Sequence, residues 1–142
     1  MAPGALKQKL LRNYLRTTYR VELPAGPLDL SIGEPQAALD RLLKRKGHTA
    51  WAFLTAFNPG SERLHPLVNH ILQQRLKGAV RRMRHAFIPG SGIPRDAGWE
   101  PESSLLVLGI SKAKAIKLAR LFGQHAIVVG RRGGCPVLLW CY

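Results

Sequence analysis

Leu6, Leu10 and Tyr14 recur every fourth residue while Lys7, Arg12 and Arg16 fall off that stripe, so the spacing predicts an amphipathic helix over residues 4–16. The period then changes. Thr17 to Leu23 alternates and is rich in β-branched and aromatic residues, as a strand is, and a short partner strand is expected over 28–32 after the turn at Pro24–Pro27. A second helix is predicted from Pro35 to about Lys46, with Ala38, Leu39, Leu42 and Leu43 inward. Gly47 stops it, and Lys44, Arg45 and Lys46 suit a negative C-terminal helix end. Thr49 to Phe57 is almost continuously apolar, as expected of a central strand covered on both faces, and it breaks at Asn58-Pro59-Gly60-Ser61.

A third helix is predicted over 64–77 with Val68, Ile71, Leu72 and Leu76 inward, followed by a strand over 80–88 that exposes Arg82, Arg84 and His85. Residues 89–101 hold three glycines and three prolines and read as a loop. Ser104 to Leu108 is a second buried strand, Ser111 caps a helix running to Phe122, and strands over 126–129 and 137–140 form a hairpin across Arg131-Arg132-Gly133-Gly134. Two strand–helix–strand units result, around 49–88 and 104–129, each expected to cross over right-handed between parallel strands. The fold class is α/β, with α+β left open. One domain is expected over 1–142, with a mixed sheet and packed helices.

Composition narrows the class. The apolar fraction is 46% and the charged fraction 21%, a globular balance, and no apolar run approaches the roughly 20 residues that span a bilayer. Met1 to Lys9 lacks a signal-peptide core, so a cytoplasmic location is expected. Cys135 and Cys141 would lie roughly 20 Å apart on one strand, too far to bridge, and read as reduced core residues. The five histidines show no ligand spacing, so no metal and no cofactor is expected. Net charge is +14, and no acidic residue follows Glu102. Such a field favours polyanions, nucleic acid or nucleotides among them, although a basic surface also serves solubility alone.

Four places could carry chemistry. Thr55 and Asn58 close the central strand, where ligands gather in open α/β sheets, yet Asn-Pro is also an ordinary turn opener. The expected loop holds Gly90-Ser91-Gly92, Trp99 and Glu102. Pro94 follows instead of a helix, so no phosphate loop is present, while Glu102 at the start of a buried strand needs a partner or a task. Gln124 and His125 enter another strand after Gly123, and His125 suits proton transfer or plain capping. Lys114, Lys117 and Arg120 line one helix face without interleaved aromatics, and Arg131 and Arg132 mark the final turn.

Thr55-Ala56-Phe57-Asn58-Pro59, Asn69, Trp99 to Ser103 and Phe122-Gly123-Gln124-His125-Ala126, in that order, resemble an uncharacterised family of small bacterial proteins known only as a domain of unknown function. The resemblance runs from about Tyr14 to Leu138. It implies a bacterial source and a family role for Asn58, Asn69, Glu102 and Gln124, and no activity. The residues thus point first to a binding protein for a phosphate-rich ligand, nucleic acid or nucleotide, using Lys114, Lys117, Arg120, Arg131 and Arg132 with the polar cleft. A second class is a small enzyme with a pocket of Asn58, Asn69, Glu102 and Gln124, ligand contacts from Thr55 and Trp99, and Glu102 or His125 as catalytic candidates. A third is an interaction module docking an acidic protein.

Overall fold

Strands β3 (Ala50–Leu54) and β5 (Glu102–Leu108) lie side by side in the middle of a seven-stranded sheet. The computed structural model describes residues 3–96 and 98–142; Met1, Ala2 and Ala97, the last in the expected loop, lie outside the described residues. Across the sheet the order is β2 (Gly26–Leu30), β1 (Thr17–Leu23), β4 (Phe87–Pro94), β5, β3, β6 (Ala126–Arg131) and β7 (Val137–Trp140). Every neighbouring pair is antiparallel. With helices α1 (Pro3–Leu15), α2 (Ala37–Lys46), α3 (Pro66–Arg82) and α4 (Lys112–Leu121), this is a single mixed α+β domain.

Both strand–helix–strand units exist, but in split form. In the unit β3–α3–β4 the two strands point the same way with β5 inserted between them, and in β5–α4–β6 the inserted strand is β3. Each unit fills the other's gap. The expected parallel hydrogen-bonded pairs are therefore replaced by antiparallel ones, because each strand's neighbour comes from the other unit.

Alternation sorts the side chains onto two faces. Ala52, Leu54, Leu105, Val107, Ile127 and Val129 pack beneath α3 and α4, meeting Leu76, Val80, Ala115 and Leu118. Trp51, Phe53, Leu106 and Val128 face the other way, against Leu39, Leu42 and Leu43 of α2 and against Tyr19 and Val21 of β1. The registers also give the sheet two unlike ends. At the first, β3 and β4 finish while β5 and β6 begin; at the second, β3 and β4 begin while β5 and β6 finish. Helices α2 and α3 run out at the second end, and α4 starts there.

Three expectations change. Helix α3 continues to Arg82, so the strand expected over 80–88 begins only at Phe87. Its inward residues are Asn69, Gln73, Leu76 and Val80, while Val68 and Ile71 stay 44% and 45% exposed. The supposed loop is largely β4, pairing with β1 and β5 through Gly90, Ser91 and Gly92. Glycine is required at 90 because a Cβ there would strike the Arg20 carbonyl and crowd the Phe53 ring, so the bare strand makes room for an aromatic side chain. Finally, Cys135 is exposed rather than in the core; Cys141 is buried, and both thiols are free.

Candidate functional site

At the first end, a cavity of about 170 Å³ opens on the same face of the sheet as α2, where no residue of that helix lines it. Its floor is the sheet: Thr55 beyond β3, Glu102 and Ser104 of β5, Gly92 of β4 and Ala126 of β6. Small residues at 92 and 126 leave the space. Aromatic walls rise from Tyr14 of α1, Tyr19 of β1, Phe53, Phe57 and Trp99, with Arg16, Arg95 and Asp96 at the rim. Arg16 and Asp96 make an exposed ion pair of 3.5 Å. The Arg63 guanidinium stacks 4.3 Å from the centre of the Trp99 ring and donates to the Gly98 carbonyl.

Most of the polar side chains singled out in the sequence are committed to the backbone. Asn58 adopts a left-handed conformation (φ 48°), which Asn tolerates better than most residues. Its Oδ1 accepts from the Leu64 N–H at 3.0 Å and from Asn69 Nδ2 at 2.7 Å, while Asn69 Oδ1 accepts from the Asn58 N–H at 2.9 Å. Asn69, only 4% exposed, therefore sits behind Asn58 and does not line the cavity. Thr55 Oγ1 donates to the Ser103 carbonyl and accepts from the Phe57 N–H. Gln124 lines the cavity, but its Nε2 donates to the Phe57 and Phe122 carbonyls and ties the two loops together. Gly123 completes the tie: its carbonyl accepts from the Gly60 N–H, and a Cβ there would lie 2.8 Å from Pro59. His125 does not line the cavity.

Glu102 is different. Asn58 Nδ2 donates to its Oε1 at 3.2 Å, and the ion pairs among the described residues, Arg16–Asp96 and Arg20–Asp29, do not involve it. Burial raises its pKa above the ordinary value, opposed only by the Asn58 hydrogen bond. Beside it, burial first and the Glu102 charge second push the Tyr14 phenol far above its usual range, so Tyr14 remains an O–H donor at any physiological pH. Tyr19 is likewise raised, chiefly by burial, and its hydroxyl donates to the Tyr14 carbonyl at 2.9 Å. In the sequence pattern Tyr14 is part of a core stripe. Only the sheet order, which sets β1 beside β4, carries Tyr14 and Tyr19 to Glu102.

The basic residues lie elsewhere. Lys114, Lys117, Arg120, Arg131 and Arg132 are all exposed, but they do not form one patch with the cleft. Helix α4 runs from the second end to the first, so Arg120 reaches the Cys141 carbonyl and the Tyr142 ring, whereas Arg131 and Arg132 close the hairpin at the second end. Among the described residues no group of three or more His, Cys, Asp or Glu is placed to hold a metal ion. No helix among them is long and apolar enough to cross a membrane.

Comparison with known proteins sets this geometry in a family. No curated protein and no solved structure matches the chain. A family model described as "Protein of unknown function (DUF3293)" matches residues 54–127. That is a shorter stretch than the resemblance from Tyr14 to Leu138, but it runs from the end of β3 to the start of β6. It thus takes in Thr55, Asn58, Asn69, Trp99, Glu102 and Gln124, and on that match the chain belongs to the DUF3293 family.

Proposed function

We infer that the cavity binds a small, largely apolar molecule carrying a cationic or N–H-rich head, an amine or amidine, with Glu102 as its acceptor and Tyr14 beside it. The observation that carries this is a carboxyl in an aromatic-walled cavity, hydrogen-bonded on one oxygen and in no ion pair among the described residues, with Arg16 and Arg95 at the rim. A carboxylate withdrawn from water is costly unless something pairs with it. The cavity volume is close to the roughly 150 Å³ that accommodates one aromatic ring. Glu102 stands in the interior while Arg16 and Arg95 stand at the rim, so the interior favours a cationic head over a phosphate.

The test is calorimetric titration with three one-ring probes of matched shape: benzamidine, neutral benzamide and anionic benzoate. Benzamidine is expected to bind best and benzoate least, and Glu102→Gln to remove the preference. Binding should strengthen as pH rises through the Glu102 pKa, because the cation pairs with the ionised carboxylate. Benzoate binding as well as benzamidine would overturn the assignment. A second reading, a small enzyme, is favoured by the same raised pKa: a carboxyl poised above its ordinary range beside a protonated phenol can donate and take a proton. In that case Glu102→Gln would abolish turnover of a bound probe while leaving its affinity for a neutral analogue unchanged.

A further inference from the structure

The second end of the sheet gathers charge from four elements that are far apart in sequence. Helix α2 ends there with Lys44, Arg45 and Lys46, and α3 with Arg81 and Arg82. Helix α4 begins there with Lys112 and Lys114, and the β6–β7 turn adds Arg131 and Arg132. All nine side chains are exposed. The ion pairs among the described residues, Arg16–Asp96 and Arg20–Asp29, involve none of them. The acid nearest the turn, Asp40, accepts from the Gly133 N–H.

Local helix physics accounts for part of this and not for the rest. Cations at the C-termini of α2 and α3 oppose the negative end of each helix dipole. Lys112 and Lys114 stand in the first turn of α4, where the dipole disfavours them and where no acid is present. The turn arginines serve no helix at all. What unites the four elements is position, not local stability.

We propose that this end is a docking surface for duplex DNA, held through its backbone phosphates. The patch is broad. Strands β4 and β6 are three strand spacings apart, so the α3–β4 corner and the β6–β7 turn stand roughly 14 Å from each other. That separation is comparable with the ~12 Å width of the major groove, so the two corners can meet phosphates on either side of it. Among the cationic side chains, Arg81 is stacked on Phe87, 5.3 Å from the ring centre. No exposed aromatic of the described residues stands in the patch for bases to stack on, which disfavours single strands. Recognition of this kind is independent of sequence. It is also independent of the Glu102 cavity, which lies at the other end.

Fluorescence anisotropy with a labelled DNA duplex of about 20 bp, titrated at several salt concentrations, tests the proposal. The protein should bind at low salt, with log K falling linearly against log salt. Replacing Lys112, Lys114, Arg131 and Arg132 together by Gln should make that slope shallower by up to about 0.9 for each phosphate no longer neutralised. A control removing equal charge elsewhere, Lys7, Lys9, Arg12 and Arg75 to Gln, should leave the slope within about one unit of the parent. Thermal melting checks that both variants fold; should the first not, Lys114→Gln with Arg132→Gln is expected to give half the change. Equal losses in patch and control variants would reduce the effect to net charge and overturn the proposal. So would no binding at micromolar protein, or tighter binding to an RNA duplex or to polyglutamate.

Discussion

The two ends of the sheet use polar residues in opposite ways. At the cavity end Asn58, Asn69, Thr55 and Gln124 spend their hydrogen bonds on each other and on loop backbone, save the one that Asn58 Nδ2 donates to Glu102, holding a left-handed turn against the start of α3 and the end of α4. At the other end Lys112, Lys114, Arg131 and Arg132 have no ion-pair partner among the described residues and stand where helix electrostatics does not call for them. A motif rich in Asn, Gln and Thr attracts notice in a sequence, yet here it reports on folding. Apart from Gln73 Nε2, buried without a partner among the described residues, the groups with capacity left after folding are a carboxyl bonded on one oxygen at one end and a set of cations at the other.

The sharpest way to break this contrast is to remove a strut. Asn58→Ala deletes the acceptor of the Leu64 N–H and of Asn69 Nδ2, and puts a less tolerant residue at a positive φ. A loss of about 2–4 kcal/mol in urea denaturation is expected, since buried partners are left unpaired and the turn is strained. Asn58→Asp keeps the Oδ1 acceptor but replaces the donor to Glu102 with a second carboxyl oxygen. It too should lose stability at pH 7, and recover part of it as pH falls and the two carboxyls share a proton. A cost under about 0.5 kcal/mol for Asn58→Ala would mean the turn is held by something else, and the amides would again be candidates for ligand contact.

How far the sequence reveals these ends depends on which physical signal each residue carries. Helix α4 and its Ser111 cap, the C-terminal stop at Gly47 and the final hairpin are legible because capping and turn chemistry are local. The inward face of α3 is only partly legible from hydrophobicity: Leu72 and Leu76 pack on the core as their spacing predicts, but Asn69 and Gln73 point in to serve loop amides while Val68 and Ile71 point out. Strand β4 is hidden for a related reason: glycine at 90 is demanded by the Arg20 carbonyl of the neighbouring β1 and, less strictly, by the Phe53 ring two strands away, so a sequence that looks like a loop pairs on both edges. The two split units defeat local pattern altogether. Nothing within residues 49–88 indicates that β5 will enter between β3 and β4, and that insertion is what brings Glu102 beside Asn58.

A smaller effect separates the carboxyl from the struts around it. The folded state holds the Glu102 proton above the ordinary value of 4.5, so between that value and the raised one it binds more protons than the unfolded chain. Stability is therefore greatest below the ordinary value, falls as pH rises through the window, and stays lower above it. Glu102→Gln can still accept from Asn58 and carries no charge, so it should flatten this dependence. At neutral pH it should raise stability by something on the order of 1 kcal/mol, as removal of a functional group from an unfavourable setting often does. The readout is urea denaturation at pH 4 and pH 7. A variant clearly less stable than the parent at pH 7 would mean that Glu102 is a satisfied structural partner, and the cavity would lose its acceptor.

The smallest effect tests the basic end from the side of stability. If Lys112 served the fold, replacing it would cost stability. If it stands in the first turn of α4 for the sake of an anion, the helix itself would prefer an acid. Lys112→Glu places a negative charge beside the free amides at the helix start, where Ser111 Oγ already accepts from the Lys114 N–H at 3.2 Å. A gain of about 0.3–1 kcal/mol at low salt is expected, shrinking as salt screens the dipole. The same substitution should weaken binding of the DNA duplex, because it reverses a charge within the patch. Stability and binding would then move in opposite directions on one residue, whereas a purely structural lysine would move both down. A fall in melting temperature for Lys112→Glu, with binding unchanged, would return α4 to the class of ordinary solvated helices.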